Sequence, residues 1–223
     1  MKNFNINKNS TQSGRSMIEM LGVLAIVGVL SVVGIAGYYK EMTKFKINKS
    51  IDEISHIVAS TRTLYAQQTS YDGLQTDSAI DIGIIPEHMH KKVSSTWTDA
   101  NNSFNGRVSI YGYYSASTLG KAFILSYQNL PKEACIALAT HDWGSNHSSG
   151  LLAISVSDYG GDSTGPYYAN VGDYDCDDYN DGYNRVYACP GDANNPTPMN
   201  VSTAASVCNN CSENGCSVTW KFN

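Results

Sequence analysis

The chain of 223 residues has few charges and no excess of basic side chains. Charged side chains make up 16% of the sequence, against roughly 25% in an average globular protein. The formal net charge is −5, so the bulk of the chain has no positive surface that would neutralise a phosphate backbone. This composition argues against nucleic-acid binding, and the hydrophobic content of 42% argues against wholesale disorder.

The sequence also lacks the short motifs that mark common enzyme classes. It contains no Gly-x-Ser-x-Gly, HExxH, P-loop or dinucleotide-binding pattern. The five histidines are scattered and form no motif: His56, His88, His90, His141 and His147. We therefore predict a protein that is not an enzyme, with no catalytic residue and no cofactor.

Six cysteines lie in the second half of the chain: Cys135, Cys176, Cys189, Cys208, Cys211 and Cys216. An even number in a weakly charged chain indicates three disulfides and an oxidising compartment. Six cysteines allow fifteen pairings, so the spacing alone leaves the connectivity open. The alternative is a zinc site at Cys208-x-x-Cys211 with Cys216, but no second CxxC and no nearby histidine completes it. We predict disulfides and no metal.

One segment near the N-terminus is continuously apolar. Residues 1–14 are polar, whereas residues 20–39 contain no charge. About twenty helical residues cover the ~30 Å hydrocarbon core of a bilayer, so this segment predicts a membrane-spanning helix. Helical periodicity continues to about residue 69, with Ile51, Ile54 and Val58 on an apolar stripe and Glu53 among the charged residues of the opposite side. Asp72-Gly73 then predicts the end of the helix.

A single carboxylate precedes the apolar segment. Glu19 is the fifth residue after Gly14, which ends the polar leader and is followed by Arg15. An unpaired carboxylate at membrane depth is unfavourable by several kcal/mol or more. Over residues 13–30 the sequence resembles the precursors of the type IV pilin and pseudopilin family, which have a polar leader ending in Gly, a Glu at the fifth mature position and an apolar helix. Arg15 departs from the Phe or Met that is commoner at the first mature position.

The resemblance implies the processing and the partners of the chain. A prepilin peptidase would cleave between Gly14 and Arg15, and the new α-amine of Arg15 would be N-methylated. Glu19 would pair with the α-amine of a neighbouring subunit during assembly. The implied partners are other copies of the chain in a helical homopolymer, the peptidase, the inner-membrane assembly platform and, before assembly, the membrane itself.

The rest of the chain predicts an α+β domain. Strands are expected at residues 107–114, 122–128, 151–157 and 217–222, with a short helix or turn at 80–89 and a short helix at 134–140 after Pro131. An antiparallel sheet packed on the amphipathic half of the long helix follows from this order. The predicted divisions are a leader at 1–14, a transmembrane and filament-core helix at 15–39, its amphipathic continuation at 40–70 and a globular head at 71–223. The length and the helix after Pro131 resemble the type IVb branch.

The resemblance further implies how the cysteines pair. The family ties a mid-chain helix to the C-terminal region, which here implies Cys135 with Cys208. Cys176 with Cys189 and Cys211 with Cys216 would then pair locally.

Two surface features have several interpretations. The acidic stretch Asp173–Asp181 resembles a calcium loop, but the bidentate glutamate of an EF-hand is missing, and we interpret it as a solvated loop. The tyrosines between residues 167 and 187 are suited to a contact surface.

Taken together, these features predict the structural subunit of a type IV pilus, held in the inner membrane as a single-pass protein and then exported in a cell-surface filament. A pseudopilin of a type II secretion system and a membrane-anchored binding module or adhesin that never polymerises are the alternatives.

Overall fold

The computed structural model describes residues 17–93, 98–113, 121–144, 149–157, 186–190, 196–211 and 215–223. The chain divides into two compact units, Met1–Thr43 and Lys44–Asn223. The predicted boundary of the globular head lay at residue 71, whereas this division groups residues 44–70 with the globular part. Gly14 and Arg15 lie outside the described residues.

The first helix, α1, spans Met17–Tyr65. In the first unit its large apolar side chains, including Met17, Leu24 and Ile35, are more than half exposed. In the second unit the helix buries Ile54, Ile57 and Val58 against the globular core. The helix ends a few residues earlier than the sequence predicts.

The early end of α1 has a packing cause. The Tyr65 carbonyl accepts a hydrogen bond from the Gln68 amide in a turn. The Tyr71 ring then packs on Tyr65, with ring centroids 5.2 Å apart, and on Phe123, at 4.9 Å. A helix continuing to residue 69 would carry Tyr71 away from these two rings.

A seven-stranded sheet follows, and every neighbouring pair in it is antiparallel. Its strands are β1 (His90–Lys92), β2 (Thr98–Asn101), β3 (Arg107–Tyr113), β4 (Ala122–Leu130), β5 (Leu151–Ser157), β6 (Val186–Ala188) and β7 (Cys216–Phe222). Their spatial order is β1-β2-β3-β4-β7-β5-β6, so the C-terminal strand β7 lies between β4 and β5. This arrangement confirms the α+β fold with an antiparallel sheet.

Among the described residues, three further α-helices accompany the sheet. These are α2 (Thr76–Asp81), α3 (Lys132–Thr140) and α4 (Val201–Asn209), and a 3-10 turn covers Glu87–Met89. Pro131 precedes α3, as predicted, because a proline suits the start of a helix. The sequence did not predict α4, whose N-terminus is capped by the Asn200 side chain accepting a hydrogen bond from the Ser202 amide at 2.8 Å.

Alternation along the central strands separates an apolar face from a hydroxyl-rich face. On β7, Val218, Trp220 and Phe222 belong to the apolar core. On the other face, Ser126 of β4 lies opposite Thr219 of β7, and their hydroxyl oxygens are 3.0 Å apart. Trp220 is fully buried between Tyr127, at 5.9 Å between ring centroids, and Trp143, at 5.3 Å. The alternation of apolar and polar residues in the sequence therefore indicates which side chains enter the core.

Candidate assembly helix and disulfide-closed region

The first half of α1 presents an apolar surface with one acidic group at its start. Glu19 lies in the first turn of α1 and is exposed. Among the residues that the structure describes, none forms an ion pair with it. Helix α1 is long and apolar enough to cross a membrane. None of its most apolar stretch is buried against the rest of the described chain. The predicted assembly residue therefore lies at the start of an uncovered apolar helix.

Four residues of this apolar segment are glycines, which have no side chain: Gly22, Gly28, Gly34 and Gly37. The helix continues through all of them, although each glycine costs about 1 kcal/mol relative to alanine. A Cβ atom placed on any of the four would meet nothing within 4 Å. No contact with the described part of the chain therefore requires a glycine at these positions.

Two disulfides close the region between α3 and β7. Cys135 of α3 is bonded to Cys208 of α4, with Cα atoms 6.0 Å apart, and this is the pair that the resemblance implies. Cys211 is bonded to Cys216, the first residue of β7, with Cα atoms 5.2 Å apart. Cys189 is also disulfide-bonded, while its predicted partner Cys176 lies outside the described residues.

Most of the remaining surface predictions fall outside the described residues. The acidic stretch Asp173–Asp181 and the tyrosines from Tyr167 to Tyr183 lie outside the described residues. The cysteines considered for zinc, Cys208, Cys211 and Cys216, are all oxidised to disulfides. A zinc ligand must be a thiolate, so these sulfur atoms are not available to zinc in this state.

Glu53 occupies a different place from the one that the sequence indicates. Periodicity put Glu53 on the charged side of α1, but it is only 5% exposed. Its Oε1 atom lies 2.9 Å from His88 Nε2, 3.6 Å from Lys49 Nζ and 3.5 Å from Ser103 Oγ. The 3-10 turn after Pro86 brings His88 over this helix face, which explains why a carboxylate is accepted there. The Lys49–Glu53 spacing of four residues is the only signal in the sequence.

Comparison with known families shows which family the chain belongs to. A family model described as PilS N terminal matches residues 44–223, more than half of the chain. The chain belongs to this PilS family. Its similarity to a pilus subunit and to a solved type IV pilin makes this PilS-family protein a type IV pilin-like protein.

Relatives with a described role cover much of this pilin. The major structural subunit of the bundle-forming pilus of Escherichia coli O127:H6 (strain E2348/69 / EPEC) is 29% identical over 135 residues, which is 60% of this chain and 67% of that protein. The corresponding subunit of Escherichia coli O111:H- matches to the same extent. TcpA, a type IV pilin from Vibrio cholerae El Tor biotype, has a similar fold, with a TM-score of 0.52, 16% identity and coverage of 80% of this chain and 99% of that structure.

A buried phenol in this pilin predicts a dependence of stability on pH. Tyr127 is fully buried, and its hydroxyl has no hydrogen-bond partner among the described residues. Burial, and to a lesser degree the negative charge of Glu53, raises the pKa of Tyr127 well above its usual value of 10.0. The unfolded chain therefore loses the phenol proton from about pH 10 upward while the folded chain keeps it, so this group lowers the stability as the pH rises through that range.

We expect Tyr127→Phe to remove this pH dependence. Relative to Tyr127→Phe, the wild-type free energy of unfolding should fall as the pH rises above 10, by at most about 1.4 kcal/mol for each pH unit. At pH 7 the variant should be as stable as the wild type or slightly more stable, because it no longer buries an unpaired hydroxyl. Denaturant unfolding of the full chain in detergent at pH 7, 9, 10.5 and 11.5 measures both effects. If the free energies of unfolding of the two proteins changed with pH in the same way, Tyr127 would not be the source of the pH dependence.

Proposed function

We propose that this pilin is the structural subunit of a type IV pilus, cleaved after Gly14 and polymerised through α1 into a cell-surface filament. Before assembly the apolar half of α1 holds the subunit in the inner membrane. Prepilin peptidase and the inner-membrane assembly platform act on it there. The Arg15 α-amine is N-methylated after cleavage.

The observation that carries this proposal is the exposure of the apolar half of α1. Side chains such as Leu21, Ile26 and Val33 are 62%, 63% and 67% exposed. Complete burial of one such side chain contributes about 1.5 to 3 kcal/mol. A surface made of many of them needs either lipid or other apolar helices around it, and a filament core built from α1 of many subunits supplies the second.

Glu19 gives the helix packing a defined register. In the filament core its carboxylate needs a cation, and the α-amine of Arg15 on a neighbouring subunit supplies one. Pairing the two charges offsets much of the desolvation that each would suffer alone. An apolar helix can slide along another with little change in energy, so this one pair fixes how far each subunit is displaced from the next.

The glycines of α1 support close packing between subunits. Gly22, Gly28 and Gly34 weaken the helix without serving a contact inside the described chain. Small residues let two helix backbones approach closely. Their presence is consistent with a helix whose partners are other helices.

The processing step has a direct test in the mass of the mature protein. We expect wild-type protein purified from a strain with the assembly machinery to begin at Arg15, with one added methyl group. We expect Gly14→Val to accumulate as a precursor that retains residues 1–14 and forms no filaments, because a branched side chain would block the peptidase subsite. Intact-mass measurement of both proteins reports leader removal and methylation together.

Two outcomes of this measurement would count against the proposal. Wild-type protein that retains residues 1–14 and remains monomeric would instead indicate a membrane-anchored binding module. Cleavage of Gly14→Val at the usual bond would contradict the assigned processing site. Short periplasmic assemblies without long surface fibres in electron micrographs would favour a pseudopilin of a secretion system.

A further inference from the structure

The two disulfides between α3 and β7 are in contact with each other. The Sγ atoms of Cys135, Cys211 and Cys216 all lie within 4.8 Å of one another, although they belong to two different bridges. Disulfides exchange by in-line attack of a thiolate on a disulfide sulfur. Opening of one bridge would therefore leave a nucleophile next to a sulfur of the other.

The two bridges differ in how easily an external thiol can reach them. Cys135 is fully buried, Cys208 is 2% exposed and Cys216 is 1% exposed. Cys211 is partly exposed. Attack from solvent should therefore begin at Cys211, and the thiolate that leaves is the buried Cys216.

From this arrangement we propose that the four cysteines form a thiol–disulfide exchange site, which isomerises the two bridges with a small thiol or a dithiol oxidoreductase as partner. The isomerisation converts the pairs Cys135–Cys208 and Cys211–Cys216 into Cys135–Cys216 and Cys208–Cys211. It involves no net oxidation or reduction. It does not depend on filament assembly, so it can fail or succeed independently of the proposed function.

Three exchange steps accomplish this conversion. The external thiolate bonds to Cys211 Sγ, the Cys211–Cys216 bond breaks, and Cys216 leaves as a thiolate. Cys216 then bonds to Cys135 Sγ, and Cys208 leaves as a thiolate. Finally Cys208 bonds to Cys211 Sγ and releases the external thiolate, so each step breaks and forms one S–S bond and the external thiol is regenerated.

The sulfur atoms of the short bridge lie beside carbonyl oxygens of the last turn of α4. Cys216 Sγ lies 3.5 Å from the backbone oxygen of Cys208, and Cys211 Sγ lies 3.7 Å from that of Val207. A Cys216 thiol therefore has an acceptor at the end of α4 until it loses its proton and attacks Cys135 Sγ. These contacts also hold the two sulfur atoms next to Cys208, the residue with which one of them must exchange.

Opening of the Cys135–Cys208 bridge by reduced glutathione tests the proposal. The full chain in detergent is incubated with glutathione at neutral pH, quenched with acid and alkylated, and the fraction of the Cys135–Cys208 linkage that has been lost is measured by peptide mass spectrometry. We expect this fraction to rise at least tenfold faster in the wild type than in Cys211→Ser/Cys216→Ser, because this variant lacks the two sulfur atoms that attack or receive the external thiol. Equal rates would overturn the proposal.

A single substitution tests the central exchange step without an external thiol. Cys211→Ser leaves Cys216 as a free thiol beside Cys135 Sγ. We expect alkylation of this variant at neutral pH to label both Cys208 and Cys216, which are separated into different peptides by cleavage after Glu213. At pH 4 thiolates are protonated and exchange stops, so the shares of the free thiol on Cys208 and on Cys216 should stay as they were before acidification. Label on Cys216 alone after prolonged incubation at neutral pH would overturn the exchange between the bridges.

Discussion

Replacing Glu19 with alanine or valine is expected to leave the protein inserted in the membrane and processed, yet to abolish or scramble filament assembly. Neither variant makes the apolar segment of α1 shorter or less apolar, so its affinity for the membrane is retained or increased. What each variant loses is the carboxylate proposed to pair with the α-amine of Arg15 on a neighbouring subunit. The amine would then have to enter the filament core without a partner.

The size of this effect follows from the loss of a buried charge pair. Removing one partner of a buried ion pair costs about 3 to 5 kcal/mol, and each 1.4 kcal/mol changes an equilibrium constant about tenfold. The addition of each subunit should therefore weaken by roughly a hundredfold or more. Filaments sheared from cells and quantified by immunoblot, together with electron micrographs, measure the loss.

Asp52→Ala is the matched control for the Glu19 variants. Asp52 is an exposed carboxylate on the same helix, but it lies in the second unit, outside the apolar segment. The control removes the same charge from α1 and should assemble normally. Normal filaments from both Glu19 variants would refute the pairing, and loss of filaments in the control would show that any acidic residue of the helix matters.

The fold was predictable where local pattern and packing agree. The central strands β3, β4, β5 and β7 are rich in apolar residues, which alternate with polar ones most clearly in β3 and β7. Their predicted positions match the structure within a few residues. Strands β1, β2 and β6 were not predicted. The sequence of β1 is His-Lys-Lys and that of β2 is Thr-Asp-Ala-Asn, so neither has a strand-like composition. Strands β1 and β2 form because pairing with the neighbouring strand at this edge of the sheet satisfies their backbone hydrogen-bonding groups.

Helix α4 escaped prediction for a similar reason. Its residues are mostly small, and the helical period is marked only by Ala204, Val207 and Cys208, which are buried. The disulfide to Cys135 and the Asn200 cap fix the helix in place. Both are contacts that a linear pattern does not record.

The candidate site was predictable only in part. The apolar helix and Glu19 are evident from composition, because a charge stands out beside twenty uncharged residues. Glu53 was misplaced because periodicity assigns a residue to a helix face without showing what packs on that face. The structure supplies His88 from a turn 35 residues away in sequence, and this partner makes burial of the Glu53 carboxylate tolerable.

Removal of the Cys135–Cys208 bridge is expected to produce the largest loss of stability in the globular unit. The bridge joins residues 73 positions apart, and the chain-entropy estimate for a loop of this length is about 4 kcal/mol. The bridge also connects α3 and α4 to each other, and both cysteines are buried. Cys135→Ser/Cys208→Ser should therefore lower the free energy of unfolding by at least this amount.

The Cys211–Cys216 bridge provides the comparison that separates loop length from the mere presence of a disulfide. It spans only five positions, so the same estimate gives about 2 kcal/mol for Cys211→Ser/Cys216→Ser. Denaturant unfolding of both double variants as full chains in detergent, with the wild type alongside, measures the difference. Equal losses would mean that strain or packing around the sulfur atoms outweighs loop closure. A larger loss from the short bridge would mean that anchoring the start of β7, the strand between β4 and β5, matters more than the link between α3 and α4.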